Sequence, residues 1–277
     1  MRTVAAALPR VWADALDRAP ARRRVASRIL FFETAESTND IAARFAAEDE
    51  GGGLAVIADR QTRGRGRLGR QWFSPPGSGL YVSLVVTPGE ASDPERATRL
   101  LTLMAGVAIA EAIEAATGLG PSIKWPNDLL VGPRKLAGIL AEAVSPEVRL
   151  KPDTTPSIIL GYGINVGLAS YPPELADRVT SLEHELGRPI DRAEVGAATF
   201  TALEARYGDL MAGRFDAILD AWRARAVGHR GGRVTWDTIE GVRHGTTDGV
   251  DDWGALVVKT DRGLERLMAG EVRWDSF

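Results

Sequence analysis

The sequence predicts an α+β fold, a mixed or antiparallel sheet flanked by helices, with a small all-β unit at its C-terminal end. Three observations predict it. From Arg28 onward, short strand-like apolar runs are interspersed with helical ones, and several adjacent runs read as antiparallel neighbours. One long segment, 94–117, carries a continuous apolar side at helical spacing. After Gly228 the chain changes to short β-rich runs separated by Gly and Asp turns. The expected division is therefore 1–228 and 229–277.

Each element has a local reason. Arg28 to Thr34 reads as a strand, and Ser37 is placed to cap a helix running to about Glu48, with Asp40 favouring its dipole. Gly51, Gly52 and Gly53 break that helix, and Leu54 to Asp59 is a short buried strand. An Arg/Gly loop covers 60–71 and Leu80 to Val86 forms another strand. Ser92 and Glu95 form a capping box before the long helix, Pro94 sits in its first turn, and Gly118 ends it. Strands are expected near 121–125, 128–132, 135–144 and 157–167, and helices at 191–211 and 214–226. The 145–156 connection holds three Pro and reads as a surface loop, with Lys151 a solvated charge. The β-rich runs of the last unit are 233–239, 254–259 and 271–274, and a small barrel is expected there.

Composition removes several classes of chemistry. With 34 basic and 37 acidic residues the net charge is -3, so the chain as a whole is no general polyanion binder. It has no Cys, which excludes disulfides, thiolate metal sites and Cys nucleophiles. The three His, at 184, 229 and 244, have no metal-ligand spacing; His184 is expected on a short helix and the other two in loops. The longest apolar stretch, Leu100 to Ala110, falls well short of the ~20 residues of a membrane span. Pro9, Arg10, Asp14 and Asp17 interrupt the N-terminus before a secretory core forms, so a cytoplasmic protein is expected. Only four basic residues are Lys (124, 135, 151 and 259), and two of them lie in one motif block.

The densest signal is Asp59 to Trp72, in which Arg60, Arg63, Arg65, Arg67 and Arg70 are interleaved with Gly64, Gly66 and Gly69. Residues 64–69 match G-x-G-x-x-G formally. A dinucleotide site needs a helix to begin there, however, and Phe73-Ser74-Pro75-Pro76-Gly77 cannot supply one. Three readings stay open on composition: a loop closing over phosphates through guanidinium forks, a nucleic-acid segment, or a plain basic surface loop. A second block reads Lys124-Trp125-Pro126-Asn127-Asp128, then Arg134-Lys135-Leu136-Ala137-Gly138-Ile139-Leu140. Strict alternation puts Lys135, Ala137 and Ile139 on one strand face and Leu136, Gly138 and Leu140 on the other. Asp128 suits a cation, Asn127 offers donor and acceptor to a base edge, and Gly138 marks a close approach. A hairpin with polar turn residues explains the block equally well. The third block, Gly161-Tyr162-Gly163-Ile164-Asn165, fits a bulged core strand as readily as a site. No P-loop and no G-x-S-x-G elbow is present.

In combination, Ser37-Thr38-Asn39, Gln61 through Trp72-Phe73-Ser74-Pro75, KWPND with RKLAGIL, and GYGIN resemble the biotin–protein ligases, in the family's order and over about 28–168. The resemblance implies a class II synthetase-like catalytic domain followed by an SH3-like barrel. It implies an enzyme that joins biotin to ATP with Mg²⁺, forms biotinyl-5′-adenylate, and passes the biotinyl group to a Lys of a biotin carboxyl carrier domain of acetyl-CoA carboxylase or a related carboxylase. Ser37, Thr38, Asn39, Gln61, Arg65, Gly66, Arg67, Lys135 and Gly138 are then the biotin set. Arg65, Arg67, Arg70, Trp72, Lys124, Asn127, Asp128 and Asn165 are the ATP and adenylate set. Lys135, Arg67 and Asp128 are the residues expected at the chemistry, and the metal ligands are unassigned. Some family members carry an N-terminal winged helix that binds an operator; 36 residues precede Ser37, too few for one, so no DNA partner is expected. No membrane partner is expected either, and a strand edge near 157–167 is a candidate for pairing two subunits. A lipoate–protein ligase and a non-enzymatic nucleic-acid module are the competing readings.

Overall fold

The computed structural model describes residues 5–20, 24–48, 52–144, 155–169, 171–268, 270 and 272–275. Among them, seven strands make one mixed sheet. They are β1 (Arg28–Ala35), β2 (Leu54–Gln61), β3 (Gly79–Val86), β4 (Ser122–Lys124), β5 (Asp128–Val131), β6 (Arg134–Ala143) and β7 (Ile158–Asn165). Their order is β1-β2-β3-β7-β6-β5-β4. Only β1 and β2 run parallel; every other pairing is antiparallel.

The strand sequences dictate which face is buried. In β3, Leu80, Val82, Leu84 and Val86 join the main core, and in β7 Leu160, Tyr162 and Ile164 do the same. That face is covered by α3 (Pro94–Thr117) and α6 (Arg192–Met211), which pack on each other, with α7 (Phe215–Arg225) beside them. Helix α3 is long and apolar enough to cross a membrane by length and composition alone, yet it is the buried central helix, with Leu100, Met104, Ile109 and Ile113 fully covered. On the other face α2 (Thr38–Ala47) packs Ile41 and Ala42 against Phe32, Val56 and Val85. It covers the β2–β3 side and reaches β7 through Asn39, and the remainder of that face carries the candidate site.

Several expectations are corrected. The cap of α3 is Asp93, whose side chain accepts from the Arg96 N–H at 3.1 Å, so the Ser92–Glu95 box does not form. Asp93 directly precedes the Pro at N1, which fixes it as the capping position. Strand β7 lies between β3 and β6, so 157–167 offers no edge for a second subunit. His244 lies on a strand rather than in a loop. A helix, α1 (Arg10–Arg18), escaped the sequence reading; its Trp12, Ala15 and Leu16 are buried at helical spacing, with Trp12 lying where Gly196 of α6 has no side chain. The most consequential correction concerns β6. Leu129 pairs with Ala137 but Leu130 pairs with Lys135, so the ladder shifts by one residue at Leu136. This bulge ends the strict alternation and brings Lys135 onto the side of Gly138.

Two short helices, α4 (Pro173–Ala176) and α5 (Leu182–Leu186), connect β7 to α6, and His184 is on α5 as expected. The expected boundary at 228/229 falls between α7 and β8 (Arg230–Thr238). Strands β9 (Gly241–Val250), β10 (Leu256–Thr260), β11 (Gly263–Leu267) and β12 (Val272–Trp274) complete a five-stranded antiparallel sheet in the order β11-β10-β9-β8-β12. Its Val234, Trp236, Leu256 and Val258 join the same buried cluster as α3. Trp125 Nε1 donates to the Gly254 carbonyl at 3.0 Å and Arg96 Nε to that of Asp252 at 2.8 Å, tying this sheet to the main unit. Lys151 and most of the 145–156 connection lie outside the described residues.

Two glycines give opposite expectations for stability. Gly254 has φ +78°, and a Cβ there would sit 3.0 Å from both Leu100 and Leu103. Gly254→Ala should therefore lower unfolding free energy in urea by about 1–3 kcal/mol. Gly208, inside α6 with nothing near its added Cβ, should give a gain of roughly 0.5–1 kcal/mol as Gly208→Ala.

Candidate active site

The site is a strip of sheet face floored by glycine. Because β7 alternates, Gly161 and Gly163 point away from the core, and Gly163 is the register partner of Gly138 on β6. A Cβ at Gly161 would overlap the Asn39 amide, and one at Gly163 would overlap the Trp72 indole. At Gly138 a Cβ would meet Trp72 Cζ3 and Lys135 Cε, each at 3.0 Å. Asn39, Trp72 and Lys135 thus rest directly on bare backbone, in that order along the strip.

One end is built from neutral polar side chains, with the Glu142 carboxylate at its margin. Ser83, at the centre of β3, is fully buried; it donates to Asn39 Oδ1 at 2.5 Å and lies 2.7 Å from Thr38 Oγ1. Gln61, at the end of β2, accepts from both the Thr38 N–H (2.9 Å) and hydroxyl (3.1 Å), and its amide donates to Ser74 Oγ at 3.0 Å. Ser37 occupies the N-cap position of α2 but makes no side-chain cap bond. Gln61 instead satisfies one of the exposed N–H groups of that helix end. Asn39 Nδ2 donates to Glu142 at 2.6 Å. Burial also pushes the Tyr81 phenol well above its ordinary range, so it stays protonated, donating to the Pro75 carbonyl at 3.2 Å.

The other end is charged. Lys135 Nζ is 2.6 Å from Asp128 Oδ1 and 5.3 Å from the centre of the Trp72 ring. Its backbone is clamped: the Lys135 N–H donates to the Arg178 carbonyl at 2.8 Å and its own carbonyl accepts from the Thr180 N–H at 2.9 Å. Arg134 beside it pairs with Glu185 at 2.8 Å, which holds this segment on β6. Asn127 donates to the Ile139 carbonyl at 2.8 Å and accepts from Arg67 Nη1 at 3.1 Å. Asn165 Nδ2 donates to the carbonyls of Thr180 (3.0 Å) and Lys135 (3.4 Å), which fixes the orientation of its amide. A cavity of about 260 Å³ opens beside Arg67 and Asn127, against Thr102 and Leu103 of α3 and Met268.

Between the two ends, the Arg/Gly loop folds as a compact hairpin. Gly66 N–H donates to the Arg70 carbonyl at 2.7 Å and Trp72 N–H to that of Gly64 at 2.9 Å, with Arg65 bridged to Gln71. At its tip Leu68 and Gly69 both take positive φ, +57° and +73°. Arg65 reaches Asp40 and Glu142, whereas Arg67 reaches Asn127 and the Gly270 carbonyl at 3.2 Å. Arg70 is an exposed residue of this hairpin. Trp72 Nε1 is buried with no hydrogen-bond partner among the described residues, an arrangement that costs free energy until an acceptor arrives.

The structure thus gathers Thr38, Asn39, Gln61, Arg65, Arg67, Trp72, Asn127, Asp128, Lys135, Gly138 and Asn165 around one strip. Lys124 instead places its ammonium 6.0 Å from the Trp274 ring of the C-terminal sheet. Ser83 and Glu142 were missed by sequence reasoning. Both left a trace: Ser83 is the one serine inside the run LYVSLVV, and Glu142 follows the apolar stretch Leu136 to Ala141 on the side of Gly138.

Residues 31–161 match the biotin/lipoate A/B protein ligase family. Over 246 residues the chain is 37% identical to a bifunctional ligase/repressor BirA of Bacillus spizizenii, covering 88% of this chain and 73% of that one. It is 31% identical over 242 residues to the biotin–[acetyl-CoA-carboxylase] ligase of Paracoccus denitrificans, covering 86% and 96%. Among solved structures, the biotin protein ligase of Aquifex aeolicus in complex with biotin and ATP superposes with a TM-score of 0.74 at 29% identity, covering 90% of this chain and 99% of that one.

The seat of Trp72 can be tested on the protein alone. Gly163→Ala should expel the indole and loosen the hairpin, raising trypsin cleavage at Arg65, Arg67 and Arg70 by roughly tenfold. Gly138→Ala, whose Cβ meets the movable end of Lys135, should have a smaller effect.

Proposed function

The chain belongs to the biotin/lipoate A/B protein ligase family, and from that premise we propose how its own residues carry out the two half-reactions of a biotin–protein ligase. The enzyme activates biotin with ATP and attaches it to a biotin carboxyl carrier. The observation that carries the reading is the polarity of the glycine strip, with neutral hydrogen-bonding groups at one end and cations at the other. Biotin has the same polarity, a ureido ring at one end and a carboxylate at the other.

In this reading Thr38, Asn39, Ser83 and Gln61 take the ureido ring, with Ser37 and Gly66 bordering it, and the valeryl chain runs over Gly161 and Gly163. The two glycines span about 7 Å of strand, which brings the carboxylate toward Lys135. Lys135 holds that carboxylate as one of its oxygens attacks the α-phosphorus of ATP. The new O–P bond forms as the bond to pyrophosphate breaks, giving biotinyl-5′-adenylate. Charge builds on the phosphate oxygens during this step, and fixed cations near them lower its barrier. Arg67, Arg65 and Arg70 supply those cations, and Asp128 keeps Lys135 aimed. Asn127 and Asn165 face the adenine, with the cavity beside Arg67 as the nucleotide's space. Trp72 covers the adenylate and excludes water. Lys124, at the end of β4 and facing Trp274 of the C-terminal sheet, borders the nucleotide side.

Mg²⁺ enters this reading with ATP. Among the described residues no three His, Cys, Asp or Glu side chains are grouped to cage a metal. Mg²⁺ does not require such a cage, since it keeps several waters and binds largely through substrate phosphates. Asp128 is the carboxylate that would hold it, and the ion would neutralise phosphate charge.

The second step needs no nucleophile from the enzyme. The neutral amine of a carrier Lys attacks the acyl carbon of the mixed anhydride, AMP leaves, and the amine loses a proton as the amide forms. The carrier is expected to be the domain of acetyl-CoA carboxylase or a related carboxylase, and ATP and such a carrier fit a cytoplasmic setting. A lipoate ligase would run the same adenylation on another acid, and the Ser83–Asn39–Thr38 cluster favours a ureido ring over a dithiolane, which has no comparable hydrogen-bonding groups.

Pyrophosphate release should be stimulated by biotin and not by lipoate, and stimulation by lipoate alone would overturn the choice of substrate. Lys135→Ala should slow biotinyl-adenylate formation at least about 100-fold. Lys135→Arg keeps charge and loses geometry, and should still lose about tenfold or more. A normal rate in Lys135→Ala would refute the role given to that ammonium. Arg67→Ala should impair formation or retention of the adenylate, read by trapping it in single-turnover experiments.

A further inference from the structure

Glu142 receives two hydrogen bonds on one oxygen. Its Oε2 accepts from Asn39 Nδ2 at 2.6 Å and from Arg65 Nη2 at 2.9 Å. The two donors come from different parts of the chain: Asn39 from the first turn of α2, and Arg65 from the Arg/Gly hairpin. Nothing about the fold of β6 requires a carboxylate there, since Glu142 lies near the end of the strand with its side chain 38% exposed. The end of a strand would accept many side chains at such a position, but only an acceptor with charge holds a guanidinium and an amide together.

We propose that Glu142 is a positioning residue that links ureido recognition at Asn39 to the closed position of the Arg/Gly loop through Arg65. Ser83 fixes the Asn39 carbonyl end, so the Asn39 amide nitrogen must face Glu142. That orientation presents one defined N–H and one defined lone pair to a ring lying on Gly161. The same carboxylate, together with Asp40 at 2.8 Å from Arg65 Nη2, holds the guanidinium over the strip. A ligand that locks Asn39 therefore favours the position of Glu142 that receives Arg65, and loop closure in turn favours the Asn39 orientation that binds the ring. Such coupling is reciprocal by necessity. The inference rests on the biotin reading above and adds a residue to it.

The test is a double-mutant cycle on the rate at which bound biotinyl-adenylate leaves the full-length protein, measured by chase with excess unlabelled biotin and ATP. Glu142→Gln keeps shape and one acceptor but removes the charge, and should speed release about tenfold, the loss expected for a charge-assisted hydrogen bond. Arg65→Gln should speed it comparably or more. The double variant should release no faster than Arg65→Gln alone, because both changes break the same link. Glu142→Asp keeps the charge but shortens the reach, and should also speed release; it serves if Glu142→Gln folds poorly. Release from Glu142→Gln and Glu142→Asp at the rate of the unaltered protein, or a double variant equal to the product of the singles, would overturn the proposal. Failure of the unaltered protein to form biotinyl-adenylate would instead overturn the functional reading beneath it.

Discussion

The absence of side chains at Gly138, Gly161 and Gly163 is the constraint on which the site depends. A strand buried on one face and open on the other alternates by necessity, so the residues that feed the core also fix which positions face the ligand. Here Leu160, Tyr162 and Ile164 hold β7 against α3 and α6, and the positions between them are left to carry the site. Any Cβ at Gly161 or Gly163 would displace Asn39 or Trp72. The polar end, the aromatic cover and the Lys135 ammonium can lie along one strip only because backbone is the floor.

The position of Lys135 follows from a second constraint. Without the bulge at Leu136 its side chain would share the face of Ala137 and Ile139, which point into the core. The bulge turns it toward Gly138, and pairing of its backbone with Arg178 and Thr180 keeps it there. The Arg134–Glu185 pair and the Asn165 amide support that pairing. The ammonium is therefore held by contacts of its main chain on both sides, while its tip is left to meet Asp128.

Much of the fold was legible in the sequence because its signals are local. The limits of α3 follow from Pro94 and Gly118, and the strands of the main sheet from short apolar runs between turn residues. The candidate site residues stood out as a set because they fall in contiguous motifs. Pairwise facts were not. The bulge at Leu136 arises from how β5 and β6 pair, which no window of one strand reveals. The central place of β7 depends on strand order, a property of the whole chain. Glu142 meets Arg65 across 77 positions of sequence and Asn39 across 103, so neither partner announces the other. The missed α1 is a shorter case of the same kind: its Trp12 matters because Gly196 of α6 makes room for it.

The central claim is directional, with the ureido ring at Ser83 and Asn39 and the acyl carbonyl at Lys135 across the glycine floor. A crystal structure of the protein with a non-hydrolysable biotinyl-adenylate analogue tests it most directly. The ring is expected within hydrogen-bond distance of Thr38 and Asn39, the acyl chain against Gly161 and Gly163, the acyl oxygen at Lys135 and the base toward Asn127. An analogue bound in the reverse direction, or seated in the separate cavity beside Trp12 and Arg192, would contradict it.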